Sequence, residues 1–273
     1  MELDLSGRVV LVTGAGRGIG RVIAETFVRE RSVVVALDVS TDGLTGLDEA
    51  RAAAGLDGAS LACDVTDGAR TRAVVAEVVE RFGRVDVLVN NAGINVEGTV
   101  EELTDEDWDR CFAVNVAGTF KMCRAVVPVL KAQGSGRIVN AASFASIVPS
   151  IASSAYAASK AAVVQLTRVL AGELGPWGVT ANAYAPGMIP TAMNGFAEMP
   201  AAAQDRLLDT LTLRRWGDPQ EVADAVCFLA SDAARYVTGT LLDVSGGKLV
   251  TQLPQRAYEL ARAQQAGDGG SPA

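Results

Sequence analysis

Short β-branched runs recur along this chain, each followed by a stretch of helical periodicity, and nothing else in it constrains the fold so tightly. "RVVLVTG" (8–14), "SVVVALD" (32–38), "ASLACDV" (59–65) and "VDVLVNNAG" (85–93) read as strands, and "GRIVNAAS" (136–143), "GVTANAYAPG" (178–187) and "GTLLDVSGG" (239–247) continue the series. "GIGRVIAETFVRE" (18–30), residues 41–54 and "GARTRAVVAEVVERFG" (68–83) alternate with the first of them as helices. Strands that are apolar on both faces must be covered on both, which crossover helices on a parallel sheet achieve. Right-handed crossovers then give an α/β, doubly wound fold, a parallel sheet of about seven strands with helices on each side.

The 273 residues suffice for one large domain, and no repeat or Pro/Ser-rich linker divides them. The net charge of −8, without a Lys/Arg block, argues against nucleic acid as a partner. The start "MELDLSGRVV" lacks the basic region of a secretory signal. Apolar runs such as "VVVAL" (33–37) fall far short of the roughly 20 residues that span a membrane. Cys63, Cys111, Cys123 and Cys227 form no CxxC pair and read as buried thiols of a cytoplasmic protein. There is no histidine, so zinc and other metal sites are not expected and Ser-His-Asp chemistry is excluded.

"TGAGRGIG" (13–20) lies where the first strand meets the first helix. Gly14, Gly18 and Gly20 let backbone turn sharply and approach a pyrophosphate, whose charge a helix N-terminus favours. Asp38, ending the second strand about 20 residues on, would accept hydrogen bonds from both adenosine ribose hydroxyls and repel a 2′-phosphate. That points to NAD, with NADP as the alternative because Arg17 in the turn could meet such a phosphate. Asp64, in "CDVTD", either reaches an adenine amino group or caps a turn.

In "SSAYAASK" (153–160), Tyr156 and Lys160 share one helix face. An ammonium about 4 Å from a phenol, at an effective dielectric of about 20, stabilises phenolate by roughly 4 kcal/mol. The phenol pKa would fall by about three units, to near 7. A chain with 20 arginines and four lysines uses lysine here, where a compact ammonium differs from a planar fork.

Together these motifs, with "NNAG" (90–93), Asn115 in "AVNVAG", Ser143, "PG" (186–187) and "YVTGTLLDVSGG" (236–247), resemble the short-chain dehydrogenase/reductase family nearly end to end. The resemblance implies a single NAD-binding Rossmann-fold catalytic domain over 1–252, with a substrate lid near 190–213. It implies that Tyr156 exchanges a proton with the substrate oxygen, that Ser143 holds that oxygen, and that Lys160 binds the nicotinamide ribose. Asn115 would hold a water linking the lysine to solvent. Ile19, Val65, Asn91, Ala92, Gly93, Pro186, Gly187, Ile189 and Thr191 would join Gly14, Arg17, Gly18, Gly20, Asp38, Asp64, Tyr156 and Lys160 around the cofactor. A homotetramer or dimer is implied as well.

Candidate substrate contacts are Asn95, Phe144, Ile151, Met188 and Met193 beside Ser143 and Tyr156, with Ile94, Tyr184 and Phe196 nearby. Phe144 departs from the small residue common after the serine; it either narrows the pocket or packs as a core aromatic. The extension 253–273 ends in "QQAGDGGSPA" and is expected to be partly disordered. The expected reaction is hydride transfer between nicotinamide and a small alicyclic, aryl or polyol secondary alcohol. The rivals are a 3-oxoacyl-carrier-protein reductase using NADPH and a dinucleotide-sensing regulator without turnover.

Overall fold

In the computed structural model, which describes residues 3–191 and 195–268, β1 (Val9–Thr13) has every residue buried. That is the mark of a central parallel strand covered on both faces. α1 (Gly18–Arg29), β2 (Val33–Asp38), α2 (Thr45–Ala53), β3 (Gly58–Ala62), α3 (Gly68–Phe82) and β4 (Val87–Asn90) follow in order. The chain continues with α4 (Asp105–Phe112), α5 (Thr119–Gln133), β5 (Gly136–Ala141), α6 (Ser154–Leu174) and β6 (Val179–Pro186). α7 (Ala201–Leu208), α8 (Pro219–Ala230), β7 (Leu241–Val244) and α9 (Gln255–Asp268) complete it.

The strands pair in parallel in the order β3-β2-β1-β4-β5-β6-β7, the doubly wound sheet that the alternation predicts. Winding reverses between β1 and β4, and crevices open at such switch points beyond the carboxyl ends of the strands. One face carries Ile23 and Phe27 of α1 with Val222 and Val226 of α8. The other carries Val74 and Val78 of α3, Met122 and Val126 of α5, and Leu170 and Leu174 of α6.

Caps set the helix ends. Asp67 accepts from the backbone N–H groups of Ala69 and Arg70 at the start of α3, and Gly83 closes that helix with φ 77°. Asp218 and Glu221 form a reciprocal capping box at α8, with Pro219 in the first turn.

Between α4 and α5 the backbone widens into a π-helical segment, Ala113–Gly118, a distortion common at functional positions. It turns Asn115 inward, where it is buried. Among the described residues the continuous run Asp105–Gln133 is long and apolar enough to cross a membrane. Met122, Cys123, Val126 and Leu130 nevertheless pack within the second core, so the run serves as a core helix.

In the C-terminal extension, α9 covers Gln255–Asp268 and residues 269–273 lie outside the described residues; the Tyr258 hydroxyl donates to the Thr212 carbonyl at 2.7 Å. The alanines, glutamines, arginines and leucine of 255–266 are good helix formers.

A buried polar chain fastens α6 to the sheet. Asn90 Nδ2 donates to Asn140 Oδ1 at 2.8 Å, and Asn140 Nδ2 donates to Thr167 Oγ1 at 2.9 Å. Asn140→Ala strips the Asn90 amide of this acceptor and is expected to lower stability by about 1–3 kcal/mol. A shift in the urea midpoint, with an unchanged slope, is the check; an unshifted midpoint contradicts it.

Candidate active site

The glycine turn is packed so closely that side chains cannot replace its hydrogens. A Cβ on Gly14, whose φ is +65°, would sit 2.8 Å from Ala92 Cα, and one on Gly20 would sit 2.1 Å from the Gly14 carbonyl oxygen. Gly18 differs: with φ +55° its open side faces only Thr191 Cγ2, 3.9 Å from where a Cβ would be. The turn and the "PGMIPT" segment thus confront each other across the crevice. Backbone N–H groups at the start of α1 border that gap, a fit for an anionic pyrophosphate.

Asp38 is tied to the same turn. Its Oδ2 accepts from Gly16 N at 2.8 Å and its Oδ1 from Val39 N at 2.8 Å. A Cβ on Gly16 would come within 2.8 Å of that carboxylate, so Gly16 belongs to the site although sequence reasoning passes over it. Its signal was present in the glycine string; its partner, 22 residues away, was not. The Arg17 guanidinium is exposed and pairs with no carboxylate among the described residues. Asp64 Oδ1 accepts from both the backbone N–H and the hydroxyl of Thr66 at 2.8 Å, which satisfies its reading as a turn cap.

Asn91 is a strut. Its Nδ2 donates to the carbonyls of Thr13 and Gly14 at 3.2 and 3.1 Å, and its Oδ1 accepts from the Tyr184 hydroxyl at 3.0 Å. Thr13 Oγ1 in turn accepts from the N–H groups of Asn91 and Ala92, each at 3.0 Å. Tyr184, grouped above with the pocket, is fully buried in this clasp, and burial drives its phenol pKa up. Two expected cofactor contacts have buried side chains: Val65 packs in one core and Ile189 in the other. Pro186 and Gly187 lie beside β7, where Gly187 N donates to the Val244 carbonyl at 3.1 Å. Ile19 packs against the first core.

α6 brings Tyr156 and Lys160 to the same edge. Lys160 Nζ donates to the Ala141 carbonyl at 2.8 Å and lies 5.7 Å from the Tyr156 ring centroid. Ser143 begins a short 3-10 turn (Phe144–Ser146), with Oγ accepting from Ala145 N at 3.1 Å, and its hydroxyl is the polar group that draws the Tyr156 phenol pKa down. Asn115 donates to Ser159 Oγ at 3.0 Å and exchanges hydrogen bonds with the Ile94 backbone. Gly93 fits between Asn115 Oδ1 and Lys160 Nζ, 3.2 and 3.3 Å from the point a Cβ would occupy. Ser159, buried and donating to the Tyr156 carbonyl at 2.7 Å, is a further member that spacing alone does not reveal.

The electrostatics correct the expected lysine effect. Burial holds the Tyr156 phenol above its ordinary value, the Ser143 hydrogen bond pulls it back, and the nearby Cys111 adds to the rise. Burial also lowers Lys160 to about 8. A lysine near 8 is still mostly charged at neutral pH and loses that charge as pH rises through 8. Desolvation is the largest influence on both groups.

The expected substrate contacts divide. Phe144 and Met188 are buried and Asn95 is half-buried, whereas Ile151 is 94% exposed. Asn95 donates to Glu97 at 2.9 Å. Met193 lies outside the described residues. Phe196 stacks on Trp216 with ring centroids 5.5 Å apart, pinning the segment that precedes α7.

A family model described as Enoyl-(Acyl carrier protein) reductase matches residues 14–248. The chain is 40% identical over 250 residues to the 3-oxoacyl-[acyl-carrier-protein] reductase FabG of Thermotoga maritima, covering 91% of this chain and 100% of that one. It is also 40% identical over 248 residues to D-threitol dehydrogenase of Mycolicibacterium smegmatis, covering 90% and 94%. A gluconate 5-dehydrogenase from Burkholderia cenocepacia J2315, solved with NADP and tartrate, superposes with a TM-score of 0.86 at 34% identity, over 90% of this chain and 96% of that one. Solved structures of this fold hold NADP or NAD+.

Lys160 is expected to titrate near 8 by NMR of 13C-labelled lysine side chains, with that signal absent in Lys160→Met. Because its pKa in the folded protein lies below the ordinary 10.5, the unfolded chain binds more protons between the two values. Stability should therefore rise with pH across that window, and less so in the variant. A Lys160 titration at 10.5 contradicts the burial argument.

Proposed function

The chain belongs to the short-chain dehydrogenase/reductase family, and from that premise we propose that it is an NAD(H)-dependent oxidoreductase acting on a small polyol-type or cyclic secondary alcohol and the corresponding ketone. One observation carries the reading: Ser143, Tyr156 and Lys160 converge on the crevice that the glycine turn and Thr191 border. NAD(P), when bound, accepts or supplies the hydride at nicotinamide C4. The protein's part is to bind, orient and move a proton. Ser143 holds the substrate oxygen, and Tyr156 gives a proton to it in reduction and takes one in oxidation. Lys160 biases that transfer by its charge, and Asn115 with Ser159 keeps α6 against the Gly93 loop so that the lysine stays in register.

A phenol held above its ordinary value is protonated at neutral pH, the form that serves ketone reduction. Alcohol oxidation is therefore expected to accelerate as pH rises through 8 and beyond, while reduction stays level from pH 6 to 8. Oxidation with its maximum below pH 7 contradicts this.

Asp38 supports NAD over NADP. A carboxylate held by two backbone N–H groups cannot easily swing away from a 2′-phosphate. Arg17 is free to favour that phosphate, but it carries its charge at the solvent edge. Asp38→Ser is expected to raise kcat/KM with NADP at least 10-fold relative to NAD; a wild-type preference for NADPH defeats the argument.

The carrier-protein reductase is the second reading, favoured by the likeness to the Thermotoga maritima protein. Against it stand Asp38 and the net charge of −8, since acidic carriers dock on basic surfaces. Enoyl reduction fits less well, because only three residues separate Tyr156 from Lys160. A sensor without turnover would not need the serine, tyrosine and lysine together. The deciding experiment is a screen of secondary alcohols, ketones and a 3-oxoacyl thioester, read by NADH and NADPH absorbance. Tyr156→Phe is expected to lose at least 1000-fold in kcat while still binding NADH by fluorescence. Near-normal rates in that variant overturn the mechanism.

A further inference from the structure

Four lysines occur in the chain, and three have evident local roles. Lys160 donates to Ala141, Lys121 donates to the Thr66 carbonyl at 2.6 Å, and Lys131 lies over the outer ring of Trp177 at 4.0 Å. Lys248 is different. It is half-buried, and among the described residues no carboxylate pairs with it and no side-chain hydrogen bond engages its ammonium. Instead its Nζ stands 5.3 Å from the centroid of the Phe144 ring.

Phe144 directly follows Ser143, so their Cα atoms are about 3.8 Å apart. The ring is only 5% exposed, yet it belongs to none of the buried clusters that pack the sheet. The lysine therefore stands over the residue that adjoins the oxygen-holding serine. Its backbone is clamped: Lys248 N donates to Ser245 Oγ at 3.1 Å, and Leu249 N donates to the Thr210 carbonyl at 2.9 Å. Gly247 O accepts from Thr212 N at 3.3 Å and from Thr212 Oγ1 at 2.9 Å. Gly246 and Gly247, at φ +68° and +73°, make the turn that presents it.

We infer that the Lys248 ammonium is the subsite for a carboxylate carried by the substrate, so that the site takes hydroxy acids and their keto acids ahead of uncharged alcohols. This rests on the catalytic reading above and narrows its substrate class. A half-buried ammonium without a counter-ion is poorly solvated, and burial alone lowers its pKa; a substrate anion completes it. A single point charge matches a monoanion. The nearby arginines are already engaged, Arg214 with Asp205 and Asp209 and Arg215 with Glu221, so no planar fork stands ready for a phosphate. In the reaction the carbinol C–H leaves as hydride to the nicotinamide dinucleotide and the hydroxyl proton passes to Tyr156. The carboxylate is unchanged and serves only to orient.

The test uses the full-length protein, aldonates of four to six carbons, their methyl esters, and NAD+ or NADP+. Wild type is expected to favour each acid over its ester in kcat/KM. Lys248→Met should reduce that ratio roughly 10- to 100-fold, the range for losing a charged hydrogen-bond partner, and Lys248→Arg should restore part of it. Calorimetric binding of an aldonate to the NADH complex reads the same subsite without turnover, and binding should vanish in Lys248→Met while thermal unfolding stays cooperative. An unchanged acid-to-ester ratio, or aldonate binding that survives in Lys248→Met, overturns the inference. Absence of turnover with every alcohol in wild type instead overturns the catalytic reading, while the binding measurement still decides the subsite. Should Lys248→Met not fold, Lys248→Gln takes its place in both measurements.

Discussion

The carboxamide of Asn91 joins three strands where the sheet changes its direction of winding. It reaches the carbonyls at the end of β1 from the end of β4, and it receives the hydroxyl of Tyr184 from β6. Thr13 answers by accepting two backbone N–H groups from the Asn91 loop. Each bond contributes modestly, but each also relieves a buried group that would be expensive to leave unpaired. The crevice takes its shape from this clasp. The glycine turn can press against Ala92 only because the loop after β4 is held still, and Gly93 can fit beside Lys160 for the same reason.

On that scaffold, charge is handled mainly by exclusion of water. The tyrosine and lysine of α6 are both displaced from their ordinary ionisation by burial rather than by each other. The serine hydrogen bond is the local correction that favours phenolate. In the proposed mechanism this makes them a proton-transfer pair set by solvation, with its strength tunable by whatever polar groups enter the crevice.

Much of this was legible in the chain, and the reason is locality. A glycine string between strand and helix, an acid closing the next strand, and a Tyr-x3-Lys pair each declare themselves within a few residues. The alternation of apolar runs likewise dictated the sheet. What stayed hidden depends on contacts far apart in sequence. Tyr184 looks like a pocket aromatic until Asn91, 93 positions away, is found to accept its hydroxyl. The direction of the Tyr156 shift depends on burial by segments that no local pattern reveals. Ile189 and Val65, expected beside the cofactor, have their side chains in the cores.

The π-helical segment between α4 and α5 has an effect on the whole of that long element. An α-helix turns by about 100° per residue, so a locally widened turn shifts the angular phase of everything beyond it. Cys111 and Asn115 thereby address α6, while Met122, Cys123, Val126 and Leu130 address the sheet. Removing one residue from 113–118 would let the coil tighten to regular pitch. Because the widened turn takes up one residue more than an α-turn, the two halves would stay in phase, and what would be lost is the local geometry that turns Asn115 inward.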